Sequence, residues 1–256
     1  MGEAIALGLM RSTSGDSYQI QGMTRSEASA KEIAQRLAIP CSTDGNQIVS
    51  TTEVIILCVK PHQAEKVLIK LAPKITKNHL LISICAGLSC EQLFEWSGKK
   101  AAIVRTMPNT PCLIGQGMTV LCSGPGATEK SLEIASRIFG ILGETAIIEE
   151  SLMDGATGLS GCGPAYAYLI IEALSEAGVK VGLPRKVATL LASQTLAGAS
   201  AMVLQRDIHP AALKDEVTTP AGCTIDGLMA LEEGKLRVTL IKAVLAAAHR
   251  SKALRG

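Results

Sequence analysis

The sequence predicts an α/β protein in two parts, a doubly wound sheet over residues 1–150 and an all-helical domain over residues 151–256. Three observations carry that expectation. The runs Glu53–Val59 and Leu80–Cys85 are continuously apolar, as strands buried on both faces of a parallel sheet must be. Such runs alternate with segments of helical period as far as Leu142, and after Glu150 strand-like runs disappear. Aromatic residues make up only 2 % of the chain, so core volume comes from Leu, Ile, Val, Ala and Met, which suits helices and buried strands better than an all-β sandwich.

Element by element, Met1 to Met10 is small and apolar at helical spacing, and Tyr18 to Met23 reads as a short strand. Ser26 to Leu37 is an amphipathic helix opened by the cap Thr24-Arg-Ser, and the strand at 53–59 follows. Gln63 to Leu71 is helical, and strands are expected at Leu80–Cys85 and Ala102–Thr106. Strands at Met118–Cys122 and Ala146–Ile148 flank a helix from Thr128 to Leu142. In the second part, Ala165–Gly178, Arg185–Leu204, Thr224–Glu233 and Leu236–Leu254 all carry helical patterns. No charge occurs from Ala188 to Leu204; the run is short for a membrane span and holds Thr, Ser, Gln and Gly, so burial in a core or subunit interface is expected instead.

A formal charge of +2 without a basic tract interleaved with aromatics argues against a nucleic-acid partner. The eight cysteines lack Cys-x-x-Cys spacing and a nearby His cluster, so neither a metal centre nor a disulfide framework is expected. Cys58, Cys85 and Cys122 lie in apolar runs, where the residue behaves as a small hydrophobe, and a reducing cytoplasm is the expected compartment. The first residues have no basic stretch ahead of their apolar ones and do not read as a secretory signal.

Doubly wound sheets bind ligands at the C-terminal ends of their strands, and three such ends combine a Pro or Gly with exposed backbone. They are Val59-Lys60-Pro61-His62, Ala86-Gly87 and Met107-Pro-Asn109-Thr-Pro111, and together they suggest a cofactor crevice. Arg25 and Ser26 follow the second strand, where such folds meet the adenosine ribose. An acid there would bond a free 2′-hydroxyl, whereas Arg and Ser suit a 2′-phosphate, favouring NADPH over NADH unless Arg25 is simply a solvated surface residue. The Gly-rich run Gly158–Tyr166 follows no strand and so fails the context of a dinucleotide fingerprint; tight turning and close helix packing explain it.

The turn within Leu213–Leu228 gathers Thr218, Thr219, Pro220, Gly222 and Thr224 where a helix begins. Free amides and the macrodipole there favour a small anion such as a carboxylate, or the threonines serve as ordinary N-caps.

Four segments in this order, Val59-Lys-Pro, Met107-Pro-Asn-Thr-Pro, Gly158-Leu-Ser-Gly-Cys-Gly-Pro-Ala-Tyr and Lys214-Asp-Glu-Val-Thr-Thr-Pro-Ala-Gly-Cys-Thr-Ile, resemble those of the pyrroline-5-carboxylate reductases and span nearly the whole chain. The resemblance implies an N-terminal Rossmann domain, a helical domain that interlocks with a partner's in a homodimer, often in a ring of dimers, and reduction of 1-pyrroline-5-carboxylate to proline with NADPH, or with NADH. It implies a substrate carboxylate held by backbone amides around Val217, Gly222 and Cys223 and by the hydroxyls of Thr219 and Thr224, with Glu216 beside them. Thr224 is also the family's candidate for bonding the imine nitrogen. The cofactor would rest on Met1, Gly2, Arg25, Ser26, Val59, Lys60, Pro61, Ala86, Gly87 and Asn109.

Two departures stand out. Ala221-Gly222 replaces the family's usual Gly-Gly, and Met1-Gly2 matches only the tail of its Gly-x-Gly-x-Met-Gly turn, so the first strand and first glycines are expected to be missing and cofactor binding impaired. A reductase of another small cyclic imino acid and a non-catalytic dimerising homologue are the alternatives.

Overall fold

The computed structural model describes residues 1–11 and 18–254. Helix α1 (Gly2–Arg11) leads to the short strand β1 (Gly22–Met23), helix α2 (Glu27–Leu37), strand β2 (Cys41–Ser42) and helix α3 (Gly45–Val49). Next come β3 (Val54–Leu57), α4 (Pro61–Leu71), β4 (Leu80–Ser83), α5 (Cys90–Trp96) and β5 (Ala102–Pro108). A 3-10 turn (Thr110–Ile114) then leads to β6 (Gly117–Ser123), α6 (Glu129–Gly140) and β7 (Gly143–Ile147). Caps explain where several helices begin. Ser26 accepts from the amide of Ser29, Pro61 occupies the first position of α4, and Ser89 and Thr128 form capping boxes with Gln92 and Ser131.

Strands β3, β4, β5, β6 and β7 lie side by side in that order. The first three are parallel, as the apolar runs predict, but β6 runs antiparallel to β5 and β7 follows β6. The connection from β5 to β6 is too short for a crossover helix, so the chain turns back on itself. Along β4 the buried side chains alternate: Leu80 and Ile82 meet Ile5, Leu9, Ile138 and Phe139, whereas Leu81 meets Leu68, Leu93 and Ile103. Helices α1 and α6 thus cover one face of the sheet, and α4 and α5 the other.

Strands β1 and β2 form a separate two-stranded parallel ladder, with a small core of Ala6, Leu37 and Ile39 beside it. Only Gly22–Met23 of the strand expected from Tyr18 is paired in that ladder. Among the described residues no strand joins β1 to β3.

The chain divides into two compact units, Met1–Gly161 with the chain from Ala246 onward, and Cys162–Leu245. That division falls later than the change of pattern after Glu150. A 3-10 turn (Glu150–Leu152), helix α7 (Met153–Ala156) and a π-helical turn (Thr157–Gly161) all belong to the first unit. Met153 is fully buried in the α4/α5 core, and Glu150 pairs with the buried Arg105 at 3.1 Å. A change of periodicity marks the end of the strands, not the end of the packing.

The second unit contains α8 (Gly163–Lys180), α9 (Arg185–Arg206), α10 (Pro210–Glu216), α11 (Cys223–Glu233) and the first part of α12 (Leu236–Ala253). Helix α9, expected to be buried in a core or a subunit interface, leaves Leu190, Leu191 and Leu204 largely exposed within a single chain. By length and composition α9 is apolar enough to cross a membrane. In the first unit Cys85 and Cys122 are buried, as their apolar runs predict, but Cys58 lies just beyond β3 and is exposed.

Candidate functional site

In the first unit the predicted cofactor residues sit at chain turns around the C-terminal ends of parallel strands. Gly2 opens α1, and a Cβ on it would lie 3.0 Å from the Cβ of Cys58, so the helix start passes close to the end of β3. Val59, Lys60 and Pro61 make the β3–α4 turn; Lys60 is the N-cap of α4 in extended geometry, and the Val59 carbonyl accepts from the Cys85 thiol at 3.2 Å. Ala86 is exposed after β4, whereas Gly87 is buried at φ 75° with the carbonyl of Leu254 3.4 Å from where a Cβ would stand. Only glycine adopts that left-handed backbone without strain.

Arg25 is exposed just after β1. Its neighbour Ser26 is held locally: its hydroxyl accepts from the Ser29 amide at 3.3 Å, and its carbonyl accepts from the Thr24 hydroxyl at 3.0 Å. Asn109 is a clamp. Its Oδ1 accepts from the Met118 amide at 3.0 Å and its Nδ2 donates to the Ser160 carbonyl at 3.3 Å, tying the turn after β5 to the start of β6 and to the π-helical turn. Gly161 of that turn packs tightly, with 2.8 Å between a hypothetical Cβ and Cε of Met107; at Gly163 a Cβ would meet open space. Close packing therefore explains Gly161 and not Gly163. The first unit also carries a groove of about 1100 Å³ between α1, the 110–114 turn and the end of α6, and of the predicted cofactor residues Met1 lines it.

A dinucleotide fits this arrangement by the character of its backbone. Helix α1 presents unpaired first-turn amides beside the end of β3, where an added Cβ at Gly2 would crowd Cys58. Gly87 keeps the neighbouring turn equally lean.

In the second unit the residues expected to hold an anion lie around the turn between α10 and α11. Leu213–Glu216 is the end of α10, whose start is marked by Pro210 at its first position. Glu216 forms a two-pronged ion pair with Arg206 at 2.7 and 3.0 Å, and that hydrogen bonding holds its carboxyl below the usual range. Val217 caps α10 and is exposed. Ala221 takes the left-handed φ of 57° at the position where glycine would be unstrained. Gly222 is the N-cap of α11, and its amide donates to the Thr219 carbonyl at 3.0 Å. A Cβ on Gly222 would lie 2.4 Å from Oγ1 of Thr219. Glycine there lets the Thr219 hydroxyl approach the helix start, and Cys223 and Thr224 are the first two residues of α11. Thr219 is exposed and Thr224 half-buried.

The Asn109 clamp escaped sequence reading because Ser160 lies 51 residues away and contributes only a carbonyl, for which no side-chain signal exists.

Comparison with known proteins agrees with this architecture. Residues 150–254 match the family model for pyrroline-5-carboxylate reductase dimerisation, and residues 1–87 match that for coenzyme F420-dependent NADP oxidoreductase. The chain is 41 % identical over 254 residues to pyrroline-5-carboxylate reductase of Arabidopsis thaliana, covering 99 % of this chain and 92 % of that protein. The crystal structure of Plasmodium falciparum pyrroline carboxylate reductase with NADP bound superposes with a TM-score of 0.86 at 36 % identity, covering 100 % of this chain and 95 % of that one. The corresponding values for the Coxiella burnetii pyrroline-5-carboxylate reductase are 0.92 and 33 %, with coverages of 100 % and 95 %. A Rossmann-like domain followed by a helical dimerisation domain, with identity of this level along almost the entire chain, places the protein in the pyrroline-5-carboxylate reductase family.

Proposed function

We propose that this chain catalyses the NADPH-dependent reduction of 1-pyrroline-5-carboxylate to L-proline, the last step of proline biosynthesis, as a cytoplasmic homodimer. The observation that carries the reading is the α10–α11 turn, where Gly222 admits the Thr219 hydroxyl to the start of α11 next to Thr224. The two hydroxyls and the amides that open α11 at Cys223 and Thr224 suit a carboxylate, because helix-start amides have no internal partner and the helix dipole favours negative charge; Val217 and Gly222, whose amides donate to the Lys214 and Thr219 carbonyls, shape the turn around it. Thr224 also bonds the imine nitrogen and orients the ring. Glu216 acts through its ion pair with Arg206, which ties the end of α10 to α9 and sets the approach to the turn.

The bound dinucleotide supplies the hydride that reduces the imine carbon. The chain's own part is to hold the substrate, orient it and keep water away, which is enough because a protonated cyclic imine is already electrophilic. Met1 and Gly2 approach the pyrophosphate, Val59, Lys60, Pro61, Ala86 and Gly87 line its path, and Asn109 holds the 107–111 turn in shape. Arg25 and Ser26 take the 2′-phosphate. The exposed apolar side chains of α9 are covered by a second copy of the helical unit, which accounts for the length and hydropathy of this helix without a membrane.

The activity is tested by following NADPH absorbance with the purified chain and 1-pyrroline-5-carboxylate. Substrate-dependent loss of NADPH is expected. Tight NADPH binding without turnover would reject the reading in favour of a non-catalytic homologue. For the cofactor preference, Arg25→Ala should weaken NADPH about tenfold or more while leaving NADH nearly unchanged, since a charge-assisted bond to phosphate contributes about 1.5–3 kcal/mol. Equal losses for the two dinucleotides would remove Arg25 from the 2′-phosphate.

A further inference from the structure

A second cluster of reactive side chains lies in the α4/α5 core of the first unit. Cys90 is the first residue of α5 and Cys122 lies on β6, directly opposite Arg105 on β5. Both cysteines are essentially without solvent exposure, and their sulfurs stand 3.9 Å apart although 32 residues separate them in sequence. Gly124 makes the approach possible, since a Cβ on it would lie 2.6 Å from the Cβ of Cys90. The surroundings are charged for so deep a place. Arg105 has only 2 % of its side chain exposed, and Oε1 of Glu150 accepts both from its guanidinium at 3.1 Å and from the Cys90 amide at 2.7 Å.

We propose that Cys90 and Cys122 are a redox-active dithiol that a peroxide converts into a buried disulfide linking the start of α5 to β6. A disulfide requires sulfurs about 2.05 Å apart, and thiols already in contact reach that distance by side-chain rotation and a small shift of the first turn of α5. Helix termini open locally more easily than sheet centres do, giving a small neutral oxidant its access.

The two sulfurs have different parts. The hydrogen bond from Cys90 is the largest influence on Cys122 and holds its thiol below the usual range, with Arg105 acting in the same direction against burial and Glu150. Cys90 is pushed the other way. Cys122, directly opposite Arg105 on the ladder, is therefore assigned the attacking role, its own proton passing to solvent as it reacts. Its sulfur donates an electron pair to a peroxide oxygen, the O–O bond breaks, and the departing hydroxide takes the Cys90 proton and leaves as water. The Cys90 sulfur then attacks the sulfenic sulfur, the S–S bond forms, the S–O bond breaks, and a second water leaves with a proton from solvent. One peroxide and two thiols give one disulfide and two waters.

A metal ion is the competing occupant, since Cys90, Cys122 and Glu150 offer ligand atoms within 4.8 Å of one another. The arrangement favours the dithiol. The Glu150 oxygen is already engaged by two N–H donors, and one of them is a guanidinium that would repel a cation.

The test treats the full-length protein with hydrogen peroxide, alkylates remaining thiols under denaturing conditions and maps non-reduced peptides by mass spectrometry. A Cys90–Cys122 peptide pair lighter by two hydrogens and released by dithiothreitol is expected. In Cys90→Ser the stalled Cys122 sulfenic acid should instead be trapped by dimedone. Recovery of both residues as alkylated thiols, while the exposed Cys58 and Cys223 in the same sample are oxidised, would overturn the proposal. So would a stoichiometric zinc ion that co-purifies and shields both thiols until a chelator removes it. The wild-type peptide map decides the matter even if Cys90→Ser does not fold.

Discussion

Replacing Thr224 by valine is expected to lower kcat/KM for 1-pyrroline-5-carboxylate by about 10²-fold, because a hydrogen bond to a charged group contributes about 1.5–3 kcal/mol. Valine keeps the branched shape, so the start of α11 should form as before with Gly222 as its N-cap. If Thr224 bonds the imine nitrogen as the reaction proceeds, kcat falls with kcat/KM. If it holds only the carboxylate, KM rises alone. The comparison with Thr219→Val separates the two roles, since Thr219 is proposed to touch the carboxylate and not the nitrogen. A Thr224→Val enzyme with wild-type kcat and KM would remove this residue from the site.

The largest structural loss is expected at Gly143. This residue opens β7 at φ 137°, opposite Gly117 in the parallel β6–β7 register. A Cβ added there would fall 2.0 Å from the Gly117 carbonyl oxygen and 2.4 Å from its nitrogen. Neither atom belongs to a side chain that can rotate away, so alanine must open the ladder in addition to adopting a backbone conformation it disfavours. Gly143→Ala should destabilise the protein by about 3 kcal/mol or more, lowering the melting temperature by roughly 10 °C for a chain of this size. Gly115→Ala is the control: it has the left-handed φ of 71° but nothing within 4 Å of the added carbon. Its cost should stay near 1 kcal/mol. Equal melting temperatures for the two variants would show that the collision at Gly117 is relieved at no cost.

The parts of the fold that were legible in sequence are those where one physical demand dominates. Strand β4 is buried on both faces and β3, at the edge of the sheet, is half-buried, and both show as unbroken apolar runs, while α2 announces itself through Ser26 and its amphipathic spacing. Strands β1 and β2 have two residues each, too few for any period to register. The capping box of α5, Ser89 with Gln92, was present in the letters but lay within a segment lacking a long apolar stripe. The direction of β6 follows from the length of a connection and not from its composition. At the candidate site, turns built from Pro, Gly and Thr are local and could be read. The Asn109 clamp and the Arg105, Glu150, Cys90 and Cys122 cluster join residues far apart in the chain, and nothing in a single segment reports such meetings.

The separation of the β1–β2 ladder from the five-stranded sheet has a consequence for how the protein breathes. Backbone hydrogen bonds run without interruption from β3 to β7, whereas among the described residues β1 and β2 pair as strands only with each other, through contacts such as Gly22 to Pro40 and Thr24 to Ser42. With its small core of Ala6, Leu37 and Ile39, this corner can come apart as its own cooperative unit, at a lower free energy than the main sheet. Arg25 and Ser26 belong to that corner. A dinucleotide that grips them would stitch the weakest piece of the domain to the strongest, so part of its affinity is consumed in suppressing a local opening, and anything that tightens the corner beforehand strengthens binding without touching the ligand.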